Sequence, residues 1–314
     1  DEKTIRLDYG ENSFPIPKDL RSDLFEGFLR NPLSLNKQDY GPEDDLKRMF
    51  EKSFGFSKGS LHKKSFVYGN GIAPLFHSLS KICAIEKYPI IFPQGAYGEF
   101  VACAGFVGAE AFTFQTEEKD SFKFTPSTLN KALENKKGAY VFLNFPVVNP
   151  TGALYKEEEI IELIEVIKSH EARLILDHVF NGLEFDSTNR MTKIGKVLNG
   201  DFEWVMLGGV SKLFAAGGLR FGYALCSHSE IAQNLSEMNS FEPHFATLYA
   251  VKKIIKKFNG SHPSLVTFLA EQRSLLRKRA LLLTKKLQEA NWEVLPAEGG
   301  LFLVAAPRSY FGKE

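Results

Sequence analysis

The chain has 314 residues, with 39 Lys and Arg against 38 Asp and Glu, and a formal charge of +1. That balance lacks the basic excess with which a general nucleic-acid binder neutralises phosphates. Hydrophobic residues at 44% and charged residues at 25% are the composition of a soluble globular protein and exclude extensive disorder.

Residues 1–45, with Gly10-Glu11-Asn12-Ser13, Pro15, Pro17 and Gly41-Pro42, read as an irregular arm plus one helix. From 46 to about 226, short apolar runs alternate with helical stretches. A strand is predicted at Ser65–Tyr68, then, after Gly69-Asn70-Gly71, a helix through Ala84, a strand at Pro89–Phe92 and a helix around Phe100–Phe106. Strands at Ala111–Phe114 and Ala139–Asn144 precede a helix over Glu157–His170, with Ile160, Ile161, Leu163, Ile164 and Ile167 on one face. Strands at Arg173–Asp177, Trp204–Gly209 and Phe221–Cys226 complete the pattern. Nearly continuous apolar strands separated by helices predict an α/β fold, its mostly parallel sheet covered on both faces. After 230 long helices dominate, notably Ser264–Ala290, and one further strand is predicted at Gly299–Ala306. A lone strand forms no sheet, so this end is expected to be a small α+β domain whose other strands are missing. The expected division is 1–45 as arm and part of the small domain, 46–259 as the large domain and 260–314 as an incomplete small domain. With 28 Phe, the core is expected to be aromatic-rich.

In open parallel sheets, ligands collect at the carboxyl ends of the strands. Those ends supply Gly69-Asn70-Gly71, Pro93–Tyr97, Asn149-Pro150-Thr151-Gly152, Asp177 and Ser211-Lys212. Taken singly, Asp177 and Lys212 read as halves of a partly buried ion pair. Together with a helix N-terminus and an arginine after the lysine, they point to a more specific site.

The stretches NPTG at 149–152, the strand-end Asp177 and SKLFAAGGLRFGY at 211–223 resemble fold-type I pyridoxal-phosphate (PLP) enzymes of the aspartate aminotransferase type. The stretches SFPIPKDLRSDLFEGF, GAYGEFVACAGFVGAEA and FKFTPSTLNKALENKKGAYVFLNFPVVNPTGALY are similar to the aminotransferase-like C-terminal region of plant-type methionine S-methyltransferases. The resemblance implies PLP as cofactor, an amino-acid substrate (methionine or S-methylmethionine by association), a homodimer and a fused methyltransferase module. A fused module accords with a chain that opens on Asp1 and is expected to be an excised or trimmed piece of a longer protein. Transamination is the leading activity; elimination by a C–S lyase, decarboxylation, or a non-catalytic assembly role are the alternatives.

Residue by residue, the resemblance makes Lys212 the lysine that bonds the cofactor aldehyde and moves the substrate proton, and Asp177 the partner of the pyridine nitrogen. The backbone of Asn70, Gly71 and Ile72, with Ser211 and Arg220, would hold the phosphate. Asn149 would bond the phenolic oxygen and Tyr97 would stack on the ring. Tyr40 would reach a partner subunit's phosphate, and Gly10 with Asn12 would form a substrate-side loop. Three departures stand out. Phe180 replaces the family's usual tyrosine, Gly209 replaces a frequent serine, and the arginine for the substrate carboxylate would lie beyond the end of this sequence.

Elsewhere the sequence is plainer. His178 reads as a packed or solvated histidine, and no histidine spacing suggests a metal. The run Lys252-Lys253 to Lys256-Lys257 reads as the wet face of a helix. Cys83, Cys103 and Cys226 make neither a disulfide framework nor a CxxC site, which points to a reducing, cytoplasmic setting. No apolar run nears the roughly 20 residues of a membrane span, and no signal peptide is recognised.

Overall fold

The alternation of apolar runs and amphipathic stretches becomes, in the computed structural model, seven strands of one sheet and their covering helices. The structure describes residues 11–12, 14–19, 21–22, 26, 43–56, 65–186, 194–198, 201–240 and 242–309. Among them, α1 (Glu43–Phe54), β1 (Phe66–Gly69), α2 (Ile72–Glu86), β2 (Ile90–Pro93), α3 (Gly98–Phe106) and β3 (Ala111–Phe114) come first. They are followed by α4 (Pro126–Leu133), β4 (Tyr140–Asn144), α5 (Glu157–Ser169), β5 (Arg173–Asp177), β6 (Trp204–Gly209) and β7 (Gly222–Cys226). The last are α6 (Ser229–Met238), α7 (Phe245–Asn259), α8 (Pro263–Glu289), β8 (Trp292–Val294) and β9 (Ala305–Pro307).

The large sheet runs β1-β7-β6-β5-β4-β2-β3. Only β7 opposes its neighbours, pairing antiparallel with both β1 and β6; the other pairings are parallel. Successive side chains leave a strand on opposite faces, so each interior strand feeds two cores. Leu174 and Leu176 of β5 join one core with Phe50 and Phe54 of α1, Ile160 and Leu163 of α5, and Val251 of α7. Ile175 joins the other with Phe76 and Leu79 of α2, Phe100 of α3 and Leu235 of α6. Both cores are aromatic, as the phenylalanine count implies: Phe76 stacks on Phe100 at 4.2 Å, and Phe50 meets Tyr223 at 4.4 Å.

Three expectations are corrected. Ile161 is exposed, because it sits one residue, about 100° of helix, past the stripe of Ile160, Leu163, Ile164 and Ile167. The strand expected at Gly299–Ala306 is confined to β9, and it is not alone: β8 pairs with it antiparallel, Glu293 opposite Ala306. Gly300, at φ 83, breaks the extended run, and Leu301 and Phe302 pack against the large core instead. The lysine run on α7 is more than a wet face, since Lys257 pairs with Asp19 at 3.5 Å and Lys253 with Glu26 at 3.7 Å, tying the N-terminal segment down. Among the described residues, no helix is long and apolar enough to cross a membrane.

Candidate active site

Parallel pairing places Asn144, the last residue of β4, directly beside Asp177, the last of β5. Asn144 Nδ2 donates to Asp177 Oδ2 at 2.9 Å, and the Val179 amide donates to Oδ1 at 3.1 Å. Asp177 is only 4% exposed. Burial pushes its carboxyl up to about 7, against the pull of the Val179 amide, Lys212 and Asn144. The neighbouring His178 turns elsewhere, as its packed reading expects. Its Nδ1 meets the Phe145 carbonyl at 2.8 Å and its Nε2 the Asn181 amide at 2.6 Å, with Phe145 stacked on the ring. Burial lowers its pKa to about 4, so it is neutral at physiological pH.

Lys212 follows β6, the strand next to β5, and is half-buried. Desolvation lowers its pKa, Glu11 and Asp177 pull it back up, and Arg220 lowers it again. Its Nζ lies 6.0 Å from the centroid of Phe180, a buried ring that meets Phe302 edge-on at 4.9 Å. Position 180 therefore faces the lysine, with a phenyl ring in place of a hydroxyl donor.

Beside the lysine, backbone amides and a guanidinium converge. Helix α2 opens at Ile72 after Gly71, with no side-chain cap and no acidic residue in its first turn. Its first N–H groups are therefore unpaired within the helix and favour an anion. Gly71 adopts φ 95, and a Cβ there would stand 2.8 Å from Arg220 Nη2. Arg220 Nη2 donates to the Asn70 carbonyl and Nη1 to the Gly217 carbonyl, each at 3.4 Å. Strand β7 lies directly beneath: a Cβ on Gly222 would stand 2.4 Å from Gly71 C and 2.6 Å from Ile72 N. Gly222→Ala is thus expected to cost about 1–3 kcal/mol or more, measured by urea unfolding. Gly209 has a similar constraint, since a Cβ there would lie 2.8 Å from the Phe221 carbonyl oxygen. A serine does not fit at 209 without moving backbone.

The remaining candidates are spread along the same edge. Ser211 faces the turn at Gly217, at 3.9 Å from where a Cβ of Gly217 would be. Asn149 is half-buried in the loop after β4. That loop docks the C-terminal segment, because the Gly152 carbonyl accepts from the Glu298 and Gly299 amides at 2.8 and 3.0 Å. Tyr97 precedes α3 and is 39% exposed; its hydroxyl donates to Glu99 Oε2 at 2.5 Å, and its ring meets Phe100 edge-on. Tyr40 and Gly10 lie outside the described residues. Sequence reasoning missed Asn144, Glu11 and Gln272. Asn144 was detectable as a polar strand end next to Asp177, and Gln272 as a polar residue in line with the apolar Leu265, Phe268 and Leu269 of α8.

These residues fit pyridoxal phosphate. The buried carboxyl of Asp177 has two neutral donors and calls for a protonated partner, and among the described residues Asn144 Oδ1 is buried without any partner. An open helix start with an adjoining arginine suits a phosphate, and a desolvated lysine suits an aldehyde.

Comparison with known proteins agrees. The model of aminotransferase class I and II matches residues 3–311. The methionine S-methyltransferase of Hordeum vulgare is 30% identical over 98% of this chain, and that of Arabidopsis thaliana 30% over 99%; the chain spans 29% of the length of each. The aspartate aminotransferase of Bacillus subtilis (strain 168) is 25% identical over 95% of this chain and 74% of its own. Among solved structures, a Thermus thermophilus aspartate aminotransferase tetra mutant superposes with a TM-score of 0.79 at 19% identity, covering 93% of this chain and 78% of that one. The chain belongs to the class I and II aminotransferase family.

Proposed function

We propose that the chain is a pyridoxal-phosphate-dependent transferase acting on an amino acid, with transamination as its reaction. The observation that carries this reading is a buried acid and a desolvated lysine delivered by adjacent strand ends, beside an arginine and an open helix start. Bound there, pyridoxal phosphate supplies an aldehyde for amino groups and a ring that withdraws electrons from the substrate's Cα. Asp177 would hold a proton at the ring nitrogen, with Asn144 and the Val179 amide orienting its carboxylate. Lys212 would hold the cofactor through its amine and then carry the proton that leaves Cα. Arg220, Ser211 and the amides at Asn70 and Ile72 would bind the phosphate, while Asn149 and Tyr97 would flank the ring. The Gly71 amide donates to the Gly69 carbonyl at 2.8 Å, so Gly71 would serve by letting the backbone approach closely.

The finer reading is that this unit belongs to a methionine S-methyltransferase, with a fused methyltransferase module, and works on methionine or S-methylmethionine as a cytoplasmic homodimer. The similarity to two such proteins across nearly the whole chain supports its methionine S-methyltransferase part. A non-catalytic assembly role is the second reading, favoured by Phe180 and by a Gly209 that leaves no room for serine. Against it, a buried acid and a desolvated lysine cost stability that a scaffold has no reason to carry.

The test is reduction with borohydride after loading with pyridoxal phosphate, followed by peptide mapping and light scattering. The expected result is one adduct, on Lys212, in a dimer, with the cofactor's absorbance changing on addition of methionine. An adduct on Lys212 with no response to any amino acid would favour the assembly role.

A further inference from the structure

The N-terminal segment meets the lysine from outside the sheet. Asn12 Nδ2 donates to the backbone carbonyl of Lys212 at 2.5 Å and to Gln272 Oε1 at 2.6 Å. Its Oδ1 accepts from the Phe14 amide at 3.2 Å, which fixes which end of the Asn12 amide points at those two acceptors. Gln272 is 0% exposed on α8, and its Nε2 donates to the Leu213 carbonyl at 3.1 Å. The next residue, Arg273, donates from Nη1 to the Gly182 carbonyl at 3.1 Å. Gly182 lies so close to Leu213 that a Cβ there would stand 2.9 Å from its Cδ1. One turn of α8 therefore grips the loop after Asp177 and the loop that carries Lys212, and Asn12 closes the remaining side.

We propose that Asn12 and Gln272 form a clamp on the Lys212–Leu213 backbone that aims the lysine amine and holds the Glu11 carboxylate beside it. Both are positioning residues. Their importance for the reaction rests on Lys212 being the cofactor lysine, whereas the clamp itself is a property of the protein without cofactor. The charged groups facing Lys212 are Glu11 from the N-terminal segment, Asp177 from the end of β5 and Arg220 from the turn before β7. Glu11 favours the protonated amine, so releasing the segment lets Lys212 lose its proton at lower pH.

The experiment uses the full chain without cofactor. Acetic anhydride in limiting amount labels amines across a pH series, and peptide mapping reads the midpoint for Lys212. Glu11→Gln is expected to lower that midpoint by about 0.2–0.7 pH unit, the scale of one exposed charge pair. Asn12→Ala is expected to lower it by a similar amount, and the double variant to go no further than either single one. Gln272→Leu should shift it in the same direction; because Gln272 is buried, the half-exposed Asn12 is the deciding variant. A midpoint unmoved by Asn12→Ala, or full addition in the double variant, overturns the clamp. A cofactor adduct on a different lysine would overturn the proposed function and leave this labelling result standing.

Discussion

Lys212→Ala is expected to slow amino-acid turnover by at least about 10²–10⁴-fold, the range for a positioned acid–base group, and to abolish the borohydride-stable adduct. The reason is local. Lys212 is the half-buried amine set between Asp177, Glu11 and Arg220, and desolvation lowers the affinity of that amine for its proton. An amine made easier to deprotonate is present as the free amine in a larger fraction near neutral pH, and the free amine is the form that attacks an aldehyde or accepts a proton. Lys212→Arg keeps the charge but not the function, because a guanidinium does not give up its proton in a protein. Single-turnover conversion with a panel of amino acids separates the two variants from a folding defect, provided their urea unfolding matches the parent. A Lys212→Ala protein with parental turnover would show that another residue does the chemistry.

Asp177→Asn is expected to move stability and activity in opposite directions. The Asp177 carboxyl titrates near 7 in the folded chain against an ordinary value of 3.8, with burial as the cause. A raised carboxyl contributes stability that is fully present below about pH 4 and lost as pH rises through 7, because the unfolded chain releases the proton first. At about 1.36 kcal/mol per pH unit, the loss amounts to about 4 kcal/mol above pH 7. Asparagine carries no such penalty, so the cofactor-free variant is expected to gain up to about that much at pH 8 and nothing near pH 4. His178 has the opposite sign: lowered from 6.5 to about 4, it contributes stability that is lost as pH falls from 6.5 through 4. In the parent the two nearly offset each other across that window, whereas in Asp177→Asn the histidine acts alone and stability climbs with pH. Urea midpoints from pH 4 to 8 measure this directly. Turnover should meanwhile fall at least roughly 10²-fold, since a neutral amide cannot hold the ring nitrogen's proton. Equal stability of the two proteins at pH 8 would mean that Asp177 is already matched by a cation.

Much of this was legible in the sequence because the central strands are buried on both faces. In the run RLILD every residue between Arg173 and the strand's carboxyl end is apolar, and the polar residue at that end, Asp177, is the site candidate. The same logic located Lys212, Asn149 and the Gly71 turn. It failed where packing rather than pattern decides. β8 is three half-buried residues with no apolar run, and the apolar Leu301 and Phe302 serve the large core after the turn at Gly300. Asn144 escaped notice because its role depends on parallel register with β5, which no single strand reveals. The Asn12–Gln272 bond joins residues 260 apart, beyond the reach of any local motif.

The antiparallel strand β7 sits between β1 and β6, so the two halves of the anion cradle come from opposite ends of the sheet's sequence. Arg220 and Asn70, joined by a hydrogen bond, are 150 residues apart. A chain emerging from the ribosome can pair β2 with β4, and β4 with β5, well before β7 exists, but β1 must wait for β7. Closing so long a loop is entropically costly and slow. The cradle is therefore among the last parts of the large sheet to assemble, and until then β1 has no strand to pair with. A phosphate-bearing ligand that recognises only the finished cradle would stabilise the completed fold over every partial one. Its arrival would report that synthesis and folding of this sheet are done.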